Sequence, residues 1–494
     1  MISIRTLRLS LALAAAVLAS VPAAAQPPAS TGDRPALEMR PCELPGGRGM
    51  ARCGTYWPLE NREQPGGRRI PVDVVVIPAR SATPRPDPVF FAYGGPGQTA
   101  TQGARDWIGS AMNEARDIVL VDQRGTSPAH ALDCRLSGSP DNPQGYLEPI
   151  FSAGLFRRCR AELETKADLT RYTTADYVDD LDDVRRALGY GQINIQGGSY
   201  GSRVVLFYLR RYPRNARTAF MDGVDPAATM RNPLYHAQDS QAALDSVFNL
   251  CAREAGCART FPNLRREFGE TMDRLRRRPA SVRVPHPATG APLRLTLDAN
   301  AFAEGVRVMM YDWNRSRRLP LLLHRAHRGD YAPFAEAALR YNAALRDIRM
   351  GLAMSTLCYE DLSRITEADI VAETRGTFLG DLRVRTQKAA CAEWPRRATP
   401  AGVDEPVVSD VPALLVSGAY DPATAPRWGT LAARTLPNSL HVIIPAAHTA
   451  GSRCVDRIRG EFLDRGTVQG LDTSCVGEMR LAPFVLSEGN GRRN

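Results

Sequence analysis

The chain has 494 residues, 44% hydrophobic and 23% charged, with a formal net charge of +10. That is ordinary globular composition with length for a large core, which excludes a chain kept unfolded by its own polarity. The arginines are spread without aromatic interleaving, so the positive balance reads as a solvated basic surface and no nucleic-acid partner is expected.

Residues 1–25 read as a secretory signal. Arg5 and Arg8 give the charged start, Leu9 to Val21 the apolar stretch, and Ala23-Ala24-Ala25 the small residues before a cut near Gln26. The apolar run is short for a membrane span, and no second long one follows. The expectation is an exported protein, periplasmic or secreted, with no stable membrane insertion. Ten cysteines suit an oxidising compartment. They fall in neighbouring pairs, and the simplest connectivity is Cys42–Cys53, Cys134–Cys159, Cys251–Cys257, Cys358–Cys391 and Cys454–Cys475. No C-x-x-C and no Cys/His cluster at metal spacing occurs, so no metal is expected.

Residues 26–48 read as a leader and 49–227 as the first part of an α/β core. Cys53 to Ile77 holds two strand-like runs around a Gln64-Pro65-Gly66-Gly67 turn, an antiparallel start to the sheet. Val89 to Tyr93 is a buried-strand run ending in Gly94-Gly95-Pro96-Gly97. Asp117 to Asp122 is another, ending in Gln123-Arg124-Gly125. A helix over Thr101 to Ala115 would complete a βαβ unit, and hence parallel strands. Thr173-Thr174-Ala175-Asp176 opens a helix reaching about Leu188, ended by Gly189. Ile193 to Gln196 then leads into Gly197-Gly198-Ser199-Tyr200-Gly201 and a helical run to Arg211. Thr218 to Met221 reads as the next strand. Residues 228–405 form a mainly helical cap, with helices such as Leu234 to Ala252, Leu264 to Arg277 and Ala332 to Met350, and a hairpin over Ser281 to Leu297. Residues 406–485 return to the core, with strands Ala413 to Ser417 and Leu440 to Ile444 and a closing helix from Cys454 to Leu463. Residues 486–494 read as a disordered tail.

The chemistry gathers at strand ends. G-x-S-x-G between a strand and a helix places a serine on a strained turn with its Oγ free. Gly197 and Gly201 lack the Cβ atoms that would strike the neighbouring strand and helix. Ser199 is therefore the candidate nucleophile. It needs a base, and the base an orienting acid. His448 follows a predicted strand and is the candidate base. His130 is the weaker rival, and His441 lies inside a strand. Asp421, in Gly418-Ala419-Tyr420-Asp421-Pro422, is the candidate acid, with Asp222 as rival; both stand at carboxyl ends of strands. A developing oxyanion needs N–H donors held in advance. Tyr200, directly after the serine, supplies one. Pro96 cannot donate, so Gly95 supplies the other, with Gly94 as rival.

Together Gly94-Gly95-Pro96-Gly97, Asp122-Gln123-Arg124-Gly125, the Ser199 motif, the Asp421 motif and His448 resemble the α/β-hydrolase serine peptidases. Within them the chain looks most like the secreted tripeptidyl-aminopeptidase group, related to proline iminopeptidases. The Cys53-to-Ile77 segment and Cys391-Ala392-Glu393-Trp394-Pro395 look like that group too, and the likeness covers most of residues 50–480. Two departures are Tyr93, where proline iminopeptidases usually have His, and Ser127, where Gly is usual. The resemblance implies an α/β-hydrolase fold with a mostly parallel sheet and a large helical cap. It also implies acyl-enzyme catalysis without a cofactor, on peptides with a free N-terminus. Such enzymes hold the substrate ammonium with cap carboxylates, for which Glu360 and Asp361, beside Cys358, are the candidates. The alternative is an esterase or other small-molecule acyl hydrolase with the same triad. A third reading is an inactive binding protein on the same scaffold, against which the intact Ser, Asp and His argue. Dehalogenase or epoxide-hydrolase chemistry is disfavoured because the elbow residue is Ser.

Overall fold

The computed structural model describes residues 37–487 except 45–49, 345–346, 400–401 and 450. The signal segment and most of the terminal tail read from the sequence lie outside the described residues. The first half of the chain lays down β1 (Arg40–Glu43), β2 (Met50–Tyr56), β3 (Val72–Ile77), β4 (Val89–Ala92), β5 (Ile118–Val121), β6 (Ile193–Gly198) and β7 (Ala216–Asp222). Helices α1 (Ala153–Leu163), α2 (Thr174–Ala187) and α3 (Tyr200–Arg211) intervene. The cap follows, with α4 (His236–Arg253), α5 (Ala255–Thr260), α6 (Leu264–Arg277), the antiparallel hairpin β8 (Ala280–Pro285) and β9 (Pro292–Leu297), then α7 (Ala299–Met309) and α8 (Trp313–Ser316). It continues through α9 (Leu319–His327), α10 (Ala332–Ala344), α11 (Met350–Glu360), α12 (Glu367–Thr374) and α13 (Leu382–Ala392). The chain re-enters the core as β10 (Ala413–Gly418), α14 (Pro426–Ala433), β11 (Ser439–Ile444) and α15 (Arg453–Arg465).

The nine-stranded sheet runs β1-β2-β3-β5-β4-β6-β7-β10-β11. Its first three pairings are antiparallel and the rest parallel. Alternation along β5 shows why the strands are apolar throughout. Val119 and Val121 pack with Tyr177, Leu181 and Val204 of α2 and α3, while Ile118 and Leu120 pack on the other face with Trp107 and Leu463. Register brings Gly198, Asp222 and Val416 side by side, so the carboxyl ends of β6, β7 and β10 share one rim of the sheet. The cap has its own core, built on residues such as Phe268, Phe302 and Phe334. All five disulfides join the neighbouring cysteines expected from the sequence, and no cysteine is free.

Three expectations need correction. Part of the expected leader is strand: β1 pairs with β2, and Cys42–Cys53 ties them. The helix expected over Thr101 to Ala115 is two short 3₁₀ turns, Thr101–Asp106 and Ala111–Asn113. Gly109, at φ +73°, interrupts the run, and a Cβ at Gly103 would stand 2.0 Å from the Tyr93 hydroxyl. The helix expected to continue to Met350 ends at Ala344, and α11 starts at Met350. Between them Arg349 N–H donates to the Gly97 carbonyl at 2.9 Å, which pins this part of the cap to the Gly-Gly-Pro-Gly loop.

Candidate active site

Ser199 stands between β6 and α3 at φ 56°, ψ −129°, a left-handed conformation rare for a residue with a side chain. The surroundings over-determine it. Its N–H donates to the Asp222 carbonyl at 2.8 Å. A Cβ at Gly197 would lie 2.3 Å from the Gly201 carbonyl oxygen, and one at Gly201 would lie 2.1 Å from the Ala92 carbonyl oxygen. Only glycine at both positions lets α3 press this closely on β4 and β6, and the strained turn follows.

The Asp421 loop is an Asx turn. One carboxylate oxygen accepts the N–H groups of Ala423 and Thr424, both at 2.8 Å. The other accepts the Thr424 hydroxyl at 2.7 Å and meets His448 Nδ1 at 2.8 Å. Burial pushes the Asp421 carboxyl up, but the charge and hydrogen bond of His448 and the two backbone donors hold it below the usual carboxylate range. Burial likewise pushes the His448 imidazole down, and the Asp421 carboxylate, with Asp222 and Asp225 behind it, raises it above 6.5. Among the described residues no protein group bonds His448 Nε2 or Ser199 Oγ. The two loops are adjacent: a Cβ at Gly198 would sit 3.4 Å from Thr449 Cγ2, the residue after His448. The Tyr311 ring packs edge-on against the imidazole, with centroids 4.9 Å apart.

Gly94, Gly95 and Tyr200 border the same turn. A Cβ at Gly94 would be 3.3 Å from Ser199 Cβ. Among the described residues no protein acceptor takes the N–H of Gly95 or Tyr200. Gln123 braces both sides of this space, accepting Gly97 N–H at 3.1 Å and donating to the Tyr200 hydroxyl at 3.2 Å. That is the structural use of the Asp-Gln-Arg-Gly stretch. The rival residues have other places. His130 is tied to the Tyr172 hydroxyl at 2.8 Å, and His441 meets the Ser417 hydroxyl at 3.0 Å. Asp222 stays at the rim beside the imidazole, one carboxylate oxygen buried without a partner among the described residues, and burial pushes its carboxyl up to about 7.

Glu360 and Asp361 are not where an ammonium would need them, which corrects the sequence reading. Both side chains are fully buried, 0% exposed. Glu360 accepts Thr174 N–H at 2.7 Å and its hydroxyl at 2.8 Å, and Asp361 meets Arg203 at 2.8 Å. Arg203, on α3 four residues past the serine, also reaches Asp225 at 2.8 Å. A guanidinium thus ties the serine's helix to the end of α11, and the carboxylate pair is its counter-ion. Because removing one partner strands buried charge, Arg203→Met should cost about 3–5 kcal/mol. A urea midpoint unchanged from the parent would refute this clamp.

Sequence reasoning missed Thr424, Tyr311 and Arg203. For Thr424 the signal was present, since Asp-Pro-x-Thr favours the Asx turn. For the other two it was not, because they meet the site through tertiary contact alone.

The sequence pattern of the alpha/beta hydrolase fold matches residues 87–451. The chain belongs to the alpha/beta hydrolase family. Among relatives of this hydrolase, the serine protease Hip1 of Mycobacterium tuberculosis is 26% identical over 490 residues, covering 89% of this chain and 91% of that protein. Carboxylesterase B of the same species is 26% identical over 479 residues, covering 86% of each. A proline iminopeptidase of Neisseria gonorrhoeae is 28% identical over 144 residues, 29% of this chain and 34% of its own. The hydrolase therefore stands among the serine hydrolases and proteases of its family.

Proposed function

We propose that the protein is an exported serine aminopeptidase, releasing residues or short peptides from free N-termini through an acyl-enzyme. The observation that carries the reading is the Asp421–His448 pair, 2.8 Å apart, on the loops after β10 and β11, with the His448 loop beside a strained Ser199. In this mechanism Ser199 Oγ attacks the peptide carbonyl while His448 Nε2 takes its proton. Asp421 fixes the tautomer by receiving Nδ1–H and steadies the imidazolium. The N–H groups of Gly95 and Tyr200 receive the oxyanion. The imidazolium then protonates the leaving amine, and water repeats the sequence to free the acyl group. No step calls on a metal or organic cofactor.

The free-N-terminus part of the proposal draws on the relatives, since Glu360 and Asp361 do not supply an ammonium anchor. Export draws on the charged and apolar residues of segment 1–25 and on five disulfides. No helix among the described residues is long and apolar enough to cross a membrane. The second reading, an esterase, is favoured by the match to carboxylesterase B at the same 26% identity. A panel of free and N-acetylated peptide anilides beside simple esters decides. Cleavage confined to free peptides supports the aminopeptidase, and cleavage of esters alone replaces it with the esterase.

The pH profile is a separate test. Only the neutral imidazole takes the serine proton, and its surrounding carboxylates hold it above 6.5. kcat/KM should therefore rise with pH through an apparent pKa above 6.5. Asp222→Asn removes one of those charges and should move the limb to lower pH. A wild-type limb at or below 6.5 would count against His448 as the titrating base.

A further inference from the structure

Two described residues other than glycine stand at positive φ: Ser199, and Thr449 at φ 43°, the residue after His448. At Ser199 the elbow glycines and the bond to Asp222 account for the conformation. Thr449 is β-branched, the kind of side chain that fits the left-handed region worst. Such a backbone persists only where the surroundings impose it, and it gathers where position matters.

The surroundings of Thr449 are the backbone beneath the candidate nucleophile. A Cβ at Gly198 would lie 3.4 Å from Thr449 Cγ2, and one at Gly223 would lie 3.1 Å away. Gly198 precedes Ser199, and Gly223 follows Asp222. The 2.8 Å bond from Ser199 N–H to the Asp222 carbonyl joins these two stretches. The methyl therefore rests where β6 and β7 end, and two residues without Cβ leave it room.

The start of the same loop is fixed on the Asp421 side. The Ala446 carbonyl accepts Tyr420 N–H at 3.0 Å, and a Cβ at Gly418 would stand 1.9 Å from the Ala447 carbonyl oxygen. His448 thus sits between a seat on β10 and a wedge on β6 and β7. Its Nδ1 bond to Asp421 aligns the ring but sets no distance to the serine. The height of the loop over the elbow sets that distance, and Thr449 Cγ2 makes contact there.

We propose that Thr449 is a positioning residue for the base: its methyl, carried on a strained backbone, sets the separation of His448 Nε2 from Ser199 Oγ. It acts through His448 and touches no reacting atom. The proposal rests on the Ser-His-Asp reading of the site and holds for a peptide or an ester substrate alike.

Three variants of the full chain test it. Thr449→Gly removes the methyl and relieves the backbone, so it should melt no lower than the parent. Its kcat should nevertheless fall about 10- to 100-fold, the cost of displacing reacting groups by roughly 1 Å, with KM nearly unchanged. Thr449→Ser keeps the hydroxyl without the methyl and should lose as much. Thr449→Val keeps a methyl in that place and should restore most of kcat. Labelling of Ser199 by a fluorophosphonate should slow in the same variants, and it reports on the base without a choice between peptide and ester. Parental kcat in both Thr449→Gly and Thr449→Ser would overturn the proposal. So would a loss in Thr449→Val equal to that in Thr449→Ser, which would assign the effect to the hydroxyl. A melt that falls with kcat in both Thr449→Gly and Thr449→Ser would overturn it too, since the role would then be stability. If Thr449→Gly alone fails to fold, Thr449→Ser against Thr449→Val decides. A parent chain left unlabelled by the fluorophosphonate would instead remove Ser199 as nucleophile, and this proposal with it.

Discussion

Replacing Ser199 by alanine is expected to remove hydrolysis while leaving the fold intact. The loss should be on the order of 10⁴- to 10⁶-fold in kcat, as when a triad nucleophile is deleted and only binding and oxyanion contacts remain. The elbow should survive, because its geometry is imposed by Gly197, Gly201 and the Ser199 N–H bond to Asp222, none of which uses the hydroxyl. The test is steady-state turnover of a chromogenic peptide or ester, with a thermal melt alongside. A variant that melts like the parent and still turns over substrate would sink the assignment of the nucleophile.

The second large effect separates the two rim carboxylates. Asp421→Asn should lower kcat on the order of 10⁴-fold. Its amide would present a donor where the imidazole needs an acceptor, and so favour the wrong tautomer. Asp222→Asn should cost far less at pH 8, because Asp222 influences the imidazole by charge and has no hydrogen bond to it among the described residues. Comparable losses, or a greater loss at position 222, would move the orienting acid to the end of β7.

The candidate site was legible where chemistry follows local pattern. Ser199, Asp421 and His448 each stand just past a β-branched or apolar run, and strand ends of a parallel sheet meet at one rim. The glycines at 197 and 201 were legible for the same reason, since a strand-to-helix turn that tight admits no Cβ. Glu360 and Asp361 misled because a bare carboxylate pair does not announce its partner. Arg203 lies more than 150 positions earlier, on a segment read only as a helical run, and their meeting is a tertiary event. The helix expected over 101–115, placed there to link two parallel strands, failed because nothing local signals how closely Tyr93 crosses Gly103.

The five cystine bridges span 11, 25, 6, 33 and 21 residues, and each closes before the next begins. Non-nested crosslinks have a biogenetic consequence. An oxidase meeting the thiols in order of synthesis makes the native set by joining each to its successor. Pairing in that order would need no isomerase to unscramble mispaired intermediates.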